Sequence, residues 1–502
     1  MIRQKHHIES YKETNMFTLE QLLEWLNLEN CWKNEHIEYR SLETDSRLVG
    51  GDSVFIALPG VASNGWDYLD QVAAKGCSVA ILPKGLNLKH DDLKLLEVDD
   101  IELQLALLVR EVYGSLPKHI IAVTGTNGKS SICYYIAQLA QAAGFSSAMI
   151  GTFGIGPINQ LQEAKQTTPD LLTLHKLLSS FAAQGVELVA FEASSHALDQ
   201  KRLAGVPVST AVFSNLTRDH LDYHGSMESY ALAKRRLFEF DSLTYAIVCA
   251  DSDYADFMLE TCHAKAWRYS AQSKTNADFF VVDKAFRQDG LELSIQVHDK
   301  QYAVSLPLLG DFNVQNALAA LAAVESIAAA VDKVVPAMMH LKGAPGRMEP
   351  CKRSGAPLVL VDYAHTSDAL EVALKAVHEH VAGKLVCVFG CGGDRDKGKR
   401  PMMLQVSQQF ADKVYLTSDN PRSESPTAII DDAMCAFDEQ LAEVVVEPDR
   451  QRAIESAIAS ASSEDIVLIA GKGHETYQEI KGVRQHFDDR EEALKALSKY
   501  VN

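Results

Sequence analysis

The sequence predicts an α/β protein of three domains, in which short buried strands alternate with helices. Three observations support this fold class. The chain of 502 residues is too long for one hydrophobic core. Short apolar runs recur between helical patterns, as they do in parallel sheets. One glycine-rich loop joins such a run to a helix, which is the usual context of a phosphate site. We therefore expect domains at residues 1–116, 117–344 and 345–502.

The composition excludes several classes of protein. The hydrophobic fraction of 47% and the charged fraction of 23% are ordinary for a soluble protein. A net charge of −19 disfavours binding to nucleic acid or to an anionic membrane. The nine cysteines contain no CxxC pair, so we expect reduced thiols and no structural zinc. No signal peptide or apolar span is found, which predicts a cytoplasmic protein without membrane insertion.

The first two predicted domains follow from runs of apolar residues. Residues 1–15 are polar and are predicted to be a loose extension, and a helix-like run begins at Met16. Strands are expected at 54–58 and 79–82, and a helix at 103–113. The strand at 120–123 leads through the glycine loop into a helix from about Ile132, and further strands are expected at 188–191, 210–213 and 246–249. An alanine-rich helix is predicted at 316–330.

The third predicted domain begins after a Gly-Ala-Pro-Gly turn at 343–346. Strands are expected at 358–361, 385–389, 413–416 and 466–470, separated by helical segments. This alternation is typical of a Rossmann-like domain with a mainly parallel sheet.

The glycine loop predicts an ATP site. Gly125, Thr126, Asn127, Gly128, Lys129 and Ser130 follow a strand and open a helix, so that backbone amides and the helix dipole face a polyphosphate. Lys129 would supply a point charge, and the Ser130 hydroxyl would bind Mg²⁺, with Ser131 as the weaker candidate. The loop is a shortened variant, because Val123 stands where the full motif has glycine. A simple glycine turn before a helix is the alternative.

Motifs along the whole chain resemble the Mur ligase superfamily. They comprise the phosphate loop, Glu-Ala-Ser-Ser-His at 192–196, Asn-Leu-Thr-Arg-Asp-His-Leu-Asp at 215–222 and the segment 310–316. Asp-Tyr-Ala-His at 362–365, the run 392–400, Asp-Asn-Pro-Arg at 419–422 and Gly-Lys-Gly-His-Glu at 471–475 are similar to those of the MurE family within it. The joint order of these strings, more than any one of them, supports the resemblance.

The resemblance implies a reaction and three substrates. It implies ATP-dependent addition of meso-diaminopimelate to UDP-N-acetylmuramoyl-L-alanyl-D-glutamate through an acyl-phosphate, with Mg²⁺ as cofactor and ADP and phosphate released. The three domains would bind the UDP precursor, ATP and the amino acid, in that order. Transfer of the γ-phosphate needs mainly positioning and charge neutralisation, so no nucleophilic side chain is expected. We also expect a monomer.

The resemblance also assigns roles to individual residues. The implied catalytic group comprises Lys129, Glu192, His220 and Lys234, and the metal ligands would be Ser130, Glu192, His220 and Lys234 as a carbamate. ATP would be bound by the loop residues, Ser131, Asn313, Asn316 and His365. The precursor would meet Thr44, Ser46, Val61, Ala62, Ser63, Gln166, Thr167, Thr168, Ser194, Gln200 and Arg202. Diaminopimelate would meet Arg395, Asp419, Asn420, Pro421, Arg422, Gly471 and Glu475.

Several of these assignments have a physical reason and a plain alternative. The Arg202 guanidinium offers a fork for a peptide carboxylate, and Arg422 would bind a second carboxylate and so favour meso-diaminopimelate over L-lysine. Against this, a lysine on a helix is more often exposed, an asparagine often caps a helix, and Asp-Asn-Pro is a common turn. Gln166 and Ser367 depart from the pattern of the relatives, which puts the contact of Gln166 with the precursor in doubt.

Two other functions are compatible with the phosphate loop. A folylpolyglutamate synthase would share the loop but should lack the Asp419 to Arg422 string. A noncatalytic nucleotide-gated binding protein would have no use for Glu192, His220 and Lys234 together.

Overall fold

The computed structural model describes residues 16–29, 37–60, 63–272, 276–328 and 330–500. Two compact units form: one takes the described residues up to Tyr269 together with 319–334, and the other takes 270–318 and 335 onward. Mainly parallel strands in residues 41–98, 119–270 and 349–470, with helices between them along the chain, confirm the α/β class. The two boundaries at 116 and 344 between the three predicted domains stay a prediction.

The first unit begins with a two-stranded antiparallel pair, which is followed by a small parallel sheet. Strand β1 (Phe17–Thr18) pairs with β2 (Glu38–Tyr39), and Thr18 caps helix α1 (Leu19–Trp25) through a reciprocal contact with Gln21. Strands β3 (Ser41–Glu43), β4 (Ser53–Ile56), β5 (Val79–Pro83) and β6 (Lys94–Val98) lie in that order and are all parallel. Helices α2 (Leu69–Ala74) and α3 (Ile101–Tyr113) accompany the sheet. The buried faces of α1, α3 and β4 share one core.

The second sheet of this unit carries the phosphate loop. Seven of its strands are β7 (His119–Thr124), β8 (Ser147–Gly151), β9 (Gly154–Gly156), β10 (Leu188–Glu192), β11 (Thr210–Phe213), β12 (Tyr245–Cys249) and β13 (Lys265–Ser270). They lie in the order β13-β12-β11-β7-β10-β8-β9, and only β9 is antiparallel to its neighbour within this set. The helices are α4 (Lys129–Ala142), α5 (Leu171–Ala183), α6 (Ser195–Asp199), α7 (Leu221–His224), α8 (Met227–Arg235) and α9 (Ala255–Leu259).

Strand register brings three chain segments to one edge of this sheet. Glu192 at the end of β10 lies opposite Val123, and Phe213 at the end of β11 lies opposite Thr124. Because the strands are parallel, the segments that follow them leave the sheet side by side. The phosphate loop is therefore flanked by Glu192 and by Ser214.

The second unit contains antiparallel and parallel parts. Strands β14 (Phe279–Arg287), β15 (Gly290–Val297) and β16 (Lys300–Leu306) form two hairpins, and helices α10 (Asp311–Ala328) and α11 (Val331–Ala337) follow along the chain. A six-stranded sheet has the order β17-β18-β22-β19-β20-β21, in which only β17 is antiparallel. Its strands are β17 (Glu349–Cys351), β18 (Leu358–Asp362), β19 (Leu385–Cys391), β20 (Lys413–Ser418), β21 (Glu443–Val446) and β22 (Ile466–Ala470).

Helices and a final hairpin complete this unit. The helices are α12 (Ser367–His378), α13 (Lys399–Phe410), α14 (Pro426–Met434), α15 (Arg450–Ser460) and α16 (Asp489–Lys499), and β23 (Tyr477–Ile480) pairs with β24 (Val483–His486). Cores on both faces of the sheet make it a doubly wound layer, as the Rossmann-like prediction requires.

The structure confirms the strands expected from the sequence and corrects some boundaries. Helix α4 begins at Lys129 and not near Ile132, because its first three residues, Lys-Ser-Ser, are polar and give no apolar signal; Gly128 at φ 87° is its N-cap. Helix α10 begins at Asp311, so Asn313 and Asn316 lie inside it and the capping alternative for Asn313 is wrong. Helix α1 begins at Leu19, three residues after Met16. The predicted extension at 1–15 lies outside the described residues.

Two properties of the described chain concern its environment. In that part of the chain, no helix combines the length and the apolar character needed to cross a membrane. The eight cysteines that the structure describes are all thiols.

Candidate active site

The phosphate loop is held in place by the segment that follows β11. Thr126 N donates to Asn215 O at 2.9 Å, and Asn127 N donates to Asn215 Oδ1 at 3.0 Å. Gly125 has φ 145°, and a Cβ built there would lie 1.9 Å from Ser214 Oγ, so only glycine lets the two segments pass this closely. The first intrahelical bond of α4 is Ile132 N to Gly128 O at 2.8 Å. The amides of Lys129 to Ser131 precede it and are available to an anion.

Lys129 is half-buried beside this loop. Its Nζ donates to Gly125 O at 3.0 Å and to Thr126 O at 2.8 Å. Burial lowers the pKa of Lys129, while the nearby carboxylates of Glu192 and Asp219 act in the opposite direction. The ammonium is therefore held at the mouth of the loop, where a polyphosphate would meet it.

Glu192 provides a buried carboxylate next to Ser130. Its side chain accepts a hydrogen bond from Thr152 N at 2.6 Å and another from the Ser130 hydroxyl. The residue is 1% exposed, and burial raises the pKa of Glu192, partly offset by Lys129. A Cβ at Gly151 would lie 2.2 Å from Glu192 Oε1, so the glycine makes room for this carboxylate.

The side-chain oxygens of Ser130 and Glu192 are suitable ligands for Mg²⁺. Among the residues that the structure describes, no cluster of three or more His, Cys, Asp or Glu side chains could hold a metal by itself. Mg²⁺ commonly takes one or two protein oxygens and completes its shell with water and substrate phosphates. Ser130 and Glu192 at the start of a phosphate loop match that requirement.

Lys234, in the last turn of α8, lies in the same pocket. It is 1% exposed, its Nζ donates to Gly125 O at 2.7 Å, and it lies 4.4 Å from the centre of the Tyr230 ring. Burial lowers the pKa of Lys234 well below its usual value, and Lys129 adds to the effect. The alternative of an exposed helix lysine is therefore wrong for this residue.

His220 is placed by an unusual backbone. Its φ of 51° turns the chain just before α7, and its Nε2 lies 3.4 Å from Asp219 Oδ2. The ring makes an edge contact with His196, with centroids 5.0 Å apart, and lies 6.1 Å from Tyr230. His220 therefore borders the pocket that holds Lys234, and its predicted role as a metal ligand stays a prediction.

The residues predicted to meet the peptide part of the precursor form one cluster. Arg202 donates to Gln166 Oε1 at 3.1 Å, to Thr168 O at 3.0 Å and to Gln200 Oε1 at 2.6 Å. Thr168 Oγ1 donates to Glu192 O at 2.7 Å and lies 3.1 Å from Ser194 Oγ. The cluster is thus tied directly to the strand end that carries Glu192.

Two further contacts extend this cluster. Thr167 Oγ1 lies 3.2 Å from Thr152 Oγ1, and Thr152 N in turn binds Glu192. Gln166, whose contact with the precursor the sequence left in doubt, lies against Arg202. A glutamine at this position therefore still reaches the guanidinium.

The residues predicted for the nucleotide end of the precursor lie near the first sheet. Ser46 Oγ donates to Gln71 Oε1 at 3.3 Å, and Ser63 Oγ lies 2.9 Å from Tyr68 Oη. Thr44 precedes the Asp45–Arg47 turn, in which the two side chains pair at 2.7 Å. Val61 and Ala62 lie outside the described residues. None of these contacts tests the predicted role.

In the second unit, the residues predicted for diaminopimelate gather at the carboxyl ends of β20 and β22. Asn420 Nδ2 donates to Glu475 Oε2 at 2.9 Å, and a Cβ at Gly471 would lie 2.5 Å from Asp419 Oδ2. Arg422 follows Pro421 with φ 51° and donates from Nη1 to Gly393 O at 2.7 Å. Arg395, which is exposed, and Arg422 both approach Gly392. Two acids and two arginines therefore share this edge.

The remaining residues predicted for ATP lie in two other places of the second unit. Asn313 and Asn316 are buried in the first turns of α10, and Asn313 Nδ2 donates to Leu309 O at 2.8 Å. His365 is exposed after β18, and its Nδ1 lies 2.9 Å from Tyr363 O. Their contact with the nucleotide stays a prediction.

The sequence reasoning missed three residues that build these sites. Thr152 holds Glu192 through its backbone amide, for which single-residue patterns carry no signal. Asn215 holds the phosphate loop through its side-chain oxygen, and its place at the start of the 215–222 string was the available signal. Lys472 is fully buried and donates to Asn420 Oδ1 and to Glu475 Oε2, both at 3.2 Å. Its position between two glycines of the Gly-Lys-Gly-His-Glu string was the available signal.

Known proteins similar to this chain have one recurrent description. The chain matches the Mur ligase middle domain over residues 123–324 and the Mur ligase glutamate ligase domain over 346–473. A Pseudomonas putida protein named UDP-N-acetylmuramoyl-L-alanyl-D-glutamate–2,6-diaminopimelate ligase is 40% identical over 472 residues, covering 91% of this chain and 95% of the relative. A Coxiella burnetii protein of the same name is 39% identical over 485 residues, covering 95% and 99%.

Solved structures agree with these sequence matches. A structure titled with the same ligase name has a TM-score of 0.77 and 38% identity, and the match covers 95% of this chain and 98% of that one. The structure of an Acinetobacter baumannii protein named UDP-N-acetylmuramoylalanyl-D-glutamyl-2,6-diaminopimelate–D-alanyl-D-alanyl ligase has a TM-score of 0.60 at 18% identity. The match covers 92% of this chain and 96% of that one, and it shows a shared fold alone.

Proposed function

The chain belongs to the Mur ligase family, and we propose that it adds meso-diaminopimelate to UDP-N-acetylmuramoyl-L-alanyl-D-glutamate at the expense of ATP. The relatives named for this reaction cover nearly the whole chain. One structural observation carries the reaction class. Lys129, Lys234, Ser130 and Glu192 surround a phosphate loop, and a cluster suited to a peptide carboxylate is bonded to the same strand end.

The phosphate loop would bind and orient ATP. The amides that open α4 face the phosphates, and the Lys129 ammonium neutralises part of their charge. Bound Mg²⁺ would supply charge neutralisation of the phosphate oxygens, held by Ser130 and Glu192. Glu192 is kept in place by Thr152 N and by the space at Gly151.

The cluster around Arg202 would position the precursor for activation. A guanidinium binds a carboxylate through two parallel hydrogen bonds, and the fork of Arg202 is held by Gln200 and Thr168. Holding the D-glutamyl carboxylate near the γ-phosphate turns a bimolecular step into an intramolecular one. The carboxylate oxygen attacks the γ-phosphorus, ADP leaves, and an acyl-phosphate results.

The second step forms the amide bond. The amine of diaminopimelate attacks the acyl carbon, the proton of the ammonium is lost, and inorganic phosphate leaves. At the carboxyl ends of β20 and β22, Asp419 and Glu475 would pair with an ammonium, and Arg422 and Arg395 with a carboxylate. An amino acid that carries an ammonium and a carboxylate at its far end can pair with both the acids and the arginines. L-lysine, which has only an ammonium there, would leave the arginines unpaired.

We propose that Lys234 acts as a carbamate. A buried amine with a strongly lowered pKa is in part neutral, and a neutral amine can capture carbon dioxide. The resulting anion would sit beside Lys129 and could bind a cation, with His220 bordering the same pocket. The monomeric state and the cytoplasmic location remain predictions from the sequence.

Phosphate release by the purified protein tests the proposal. With ATP, Mg²⁺ and UDP-N-acetylmuramoyl-L-alanyl-D-glutamate, we expect release to require meso-diaminopimelate and a product heavier by one diaminopimelate residue. A preference for L-lysine would contradict the substrate assignment. Release without the precursor would indicate a plain ATPase, and ligation of glutamate to a folate would support the alternative ligase.

A further inference from the structure

Lys472 is a fully buried lysine at the edge of the predicted amino-acid site. It follows β22 in a loop whose glycines allow close backbone approach: Gly471 has φ 119° and Gly473 has φ 50°. A Cβ at Gly473 would lie 2.7 Å from both Gly346 O and the Tyr363 side chain, so the loop is packed tightly against its neighbours. The loop thereby directs Lys472 into the protein, where it has 0% exposure.

Burying an ammonium is costly, and here the cost is met by specific partners. Lys472 Nζ donates to Asn420 Oδ1 and to Glu475 Oε2 at 3.2 Å each, and it lies 5.4 Å from the centre of the Tyr477 ring. An uncompensated buried charge would be strongly destabilising. The lysine is thus tied to two residues that the proposed function assigns to diaminopimelate.

These contacts determine which way the Asn420 amide points. Its oxygen accepts from Lys472 Nζ and from Glu479 N at 2.9 Å, and its nitrogen donates to Glu475 Oε2 at 2.9 Å. A flipped amide would direct its NH₂ group at two donors and its oxygen at a carboxylate. Lys472 therefore selects one orientation of the amide.

The same network reaches both charged ends of the predicted substrate site. The contacts to Glu475 from Lys472 and Asn420 fall on Oε2, which leaves Oε1 as the oxygen for an incoming ammonium. On the other side, Glu479 N binds the Asn420 amide and Glu479 O accepts from Arg422 N at 2.9 Å. Asn420 thus connects the residue for the amine with the residue for the carboxylate.

We infer that Lys472 is a positioning residue that sets the geometry of Asn420, Glu475 and Arg422 for the amino-acid substrate, and so contributes to specificity. This inference rests on the proposed function. It assigns Lys472 no contact with the substrate. Its effect is to hold one carboxylate oxygen, one amide and one backbone turn in the arrangement that recognises an ammonium and a carboxylate together.

Kinetics of the full-length enzyme test this inference. In Lys472→Met we expect the KM for meso-diaminopimelate to rise about 10- to 100-fold, the range of one or two charge-assisted hydrogen bonds. The KM values for ATP and for the UDP precursor should change less than about threefold. Lys413→Met, which changes a lysine on the rim of the same sheet, is the matched control and should leave all three constants unchanged.

A second variant separates positioning from a loss of folding. In Lys472→Ala, added methylammonium can occupy the vacated ammonium position, so it should restore the KM for diaminopimelate, while a neutral alcohol of similar size should not. Equal rises in the KM for ATP and for diaminopimelate, a fall in kcat alone, or misfolding of both variants would overturn the inference. Absence of diaminopimelate ligation by the unmodified enzyme would instead contradict the proposed function.

Discussion

Lys129 and Lys234 donate to one and the same carbonyl oxygen, Gly125 O, at 3.0 and 2.7 Å. They come from the first turn of α4 and the last turn of α8. Two ammonium groups this close repel each other strongly, the more so because Lys234 is buried. The repulsion disappears when Lys234 loses its proton, and it becomes attraction when Lys234 becomes a carbamate.

Carbamate formation at Lys234 leads to a spectroscopic prediction. With ¹³C-labelled bicarbonate, we expect a carbamate carbon signal in the NMR spectrum of the protein. Lys234→Arg should lack this signal, because a guanidinium does not capture carbon dioxide, and should lose most of the ligase activity. Full activity in Lys234→Arg would show that no carbamate is needed.

Gly151→Ala should weaken the use of Mg²⁺. The new Cβ would meet Glu192 Oε1 at 2.2 Å and Cγ at 2.8 Å, so the carboxylate must move away from Ser130. We expect the Mg²⁺ concentration for half-maximal activity to rise about tenfold, which corresponds to a loss of about 1.4 kcal/mol of Mg²⁺ binding free energy. Gly343→Ala, whose Cβ would have ordinary contacts of 3.5 Å, is the control. An unchanged Mg²⁺ dependence would contradict the role of Glu192.

Arg422→Ala should impair diaminopimelate addition far more than ATP binding. The variant removes the guanidinium predicted to pair with the distal carboxylate, so we expect the KM for diaminopimelate to rise by about 10- to 100-fold. Nucleotide affinity, measured by calorimetry, should change little. Arg452→Ala, at a largely exposed arginine, controls for the loss of charge. Equal losses of affinity for diaminopimelate and for the nucleotide would contradict the role of Arg422 in specificity.

His175 should make the stability of the protein dependent on pH. Its ring is fully buried, its Nε2 donates to Ala204 O at 2.8 Å, and its Nδ1 has no hydrogen-bond partner. Burial lowers the pKa of His175 from 6.5 to about 4. The unfolded chain therefore binds a proton below pH 6.5 that the folded protein does not, and this contribution to stability, complete above that pH, is lost as the pH falls toward 4.

Urea unfolding of His175→Gln at two pH values measures this effect. Between pH 7.5 and 5.0, the free energy of unfolding of the unmodified protein should fall by about 2 kcal/mol more than that of the variant. Glutamine keeps the donor to Ala204 O but does not titrate in this range. Identical pH dependence of the two proteins would show that His175 does not contribute.

The buried pair Arg450–Asp489 should matter most when one partner is removed. The guanidinium and carboxylate lie 2.6 Å apart with no exposure, and Arg450 also donates to Ala470 O at 3.0 Å. Arg450→Met should cost about 3–5 kcal/mol, because Asp489 is left as a buried unpaired charge. The double variant Arg450→Met, Asp489→Leu should recover most of this loss. A double variant as unstable as the single one would contradict this account.

The local patterns of the sequence predicted the buried parallel strands well. The runs at 210–213 and 466–470 coincide with β11 and β22, since a strand covered on both faces is apolar throughout. The hairpins β14 to β16 were missed, because the strands were predicted from continuous apolar runs, whereas β15 alternates apolar and polar residues, which is a strand signal of another kind. Which strand pairs with which depends on contacts with neighbouring strands, and a local pattern does not specify them.

The sequence by itself determined the α/β class, the phosphate loop and the order of the motifs that show the family, because these depend on short-range patterns of apolar, glycine and charged residues. Only the tertiary structure decided that Lys234 and Lys472 are buried, that Asn215 holds a loop about ninety residues earlier, and that Thr168 links Arg202 to Glu192. The physical reason is that burial and hydrogen bonding arise from segments distant in the chain. A lysine is exposed by default, and only packing from several segments can supply the partners that allow it to be buried.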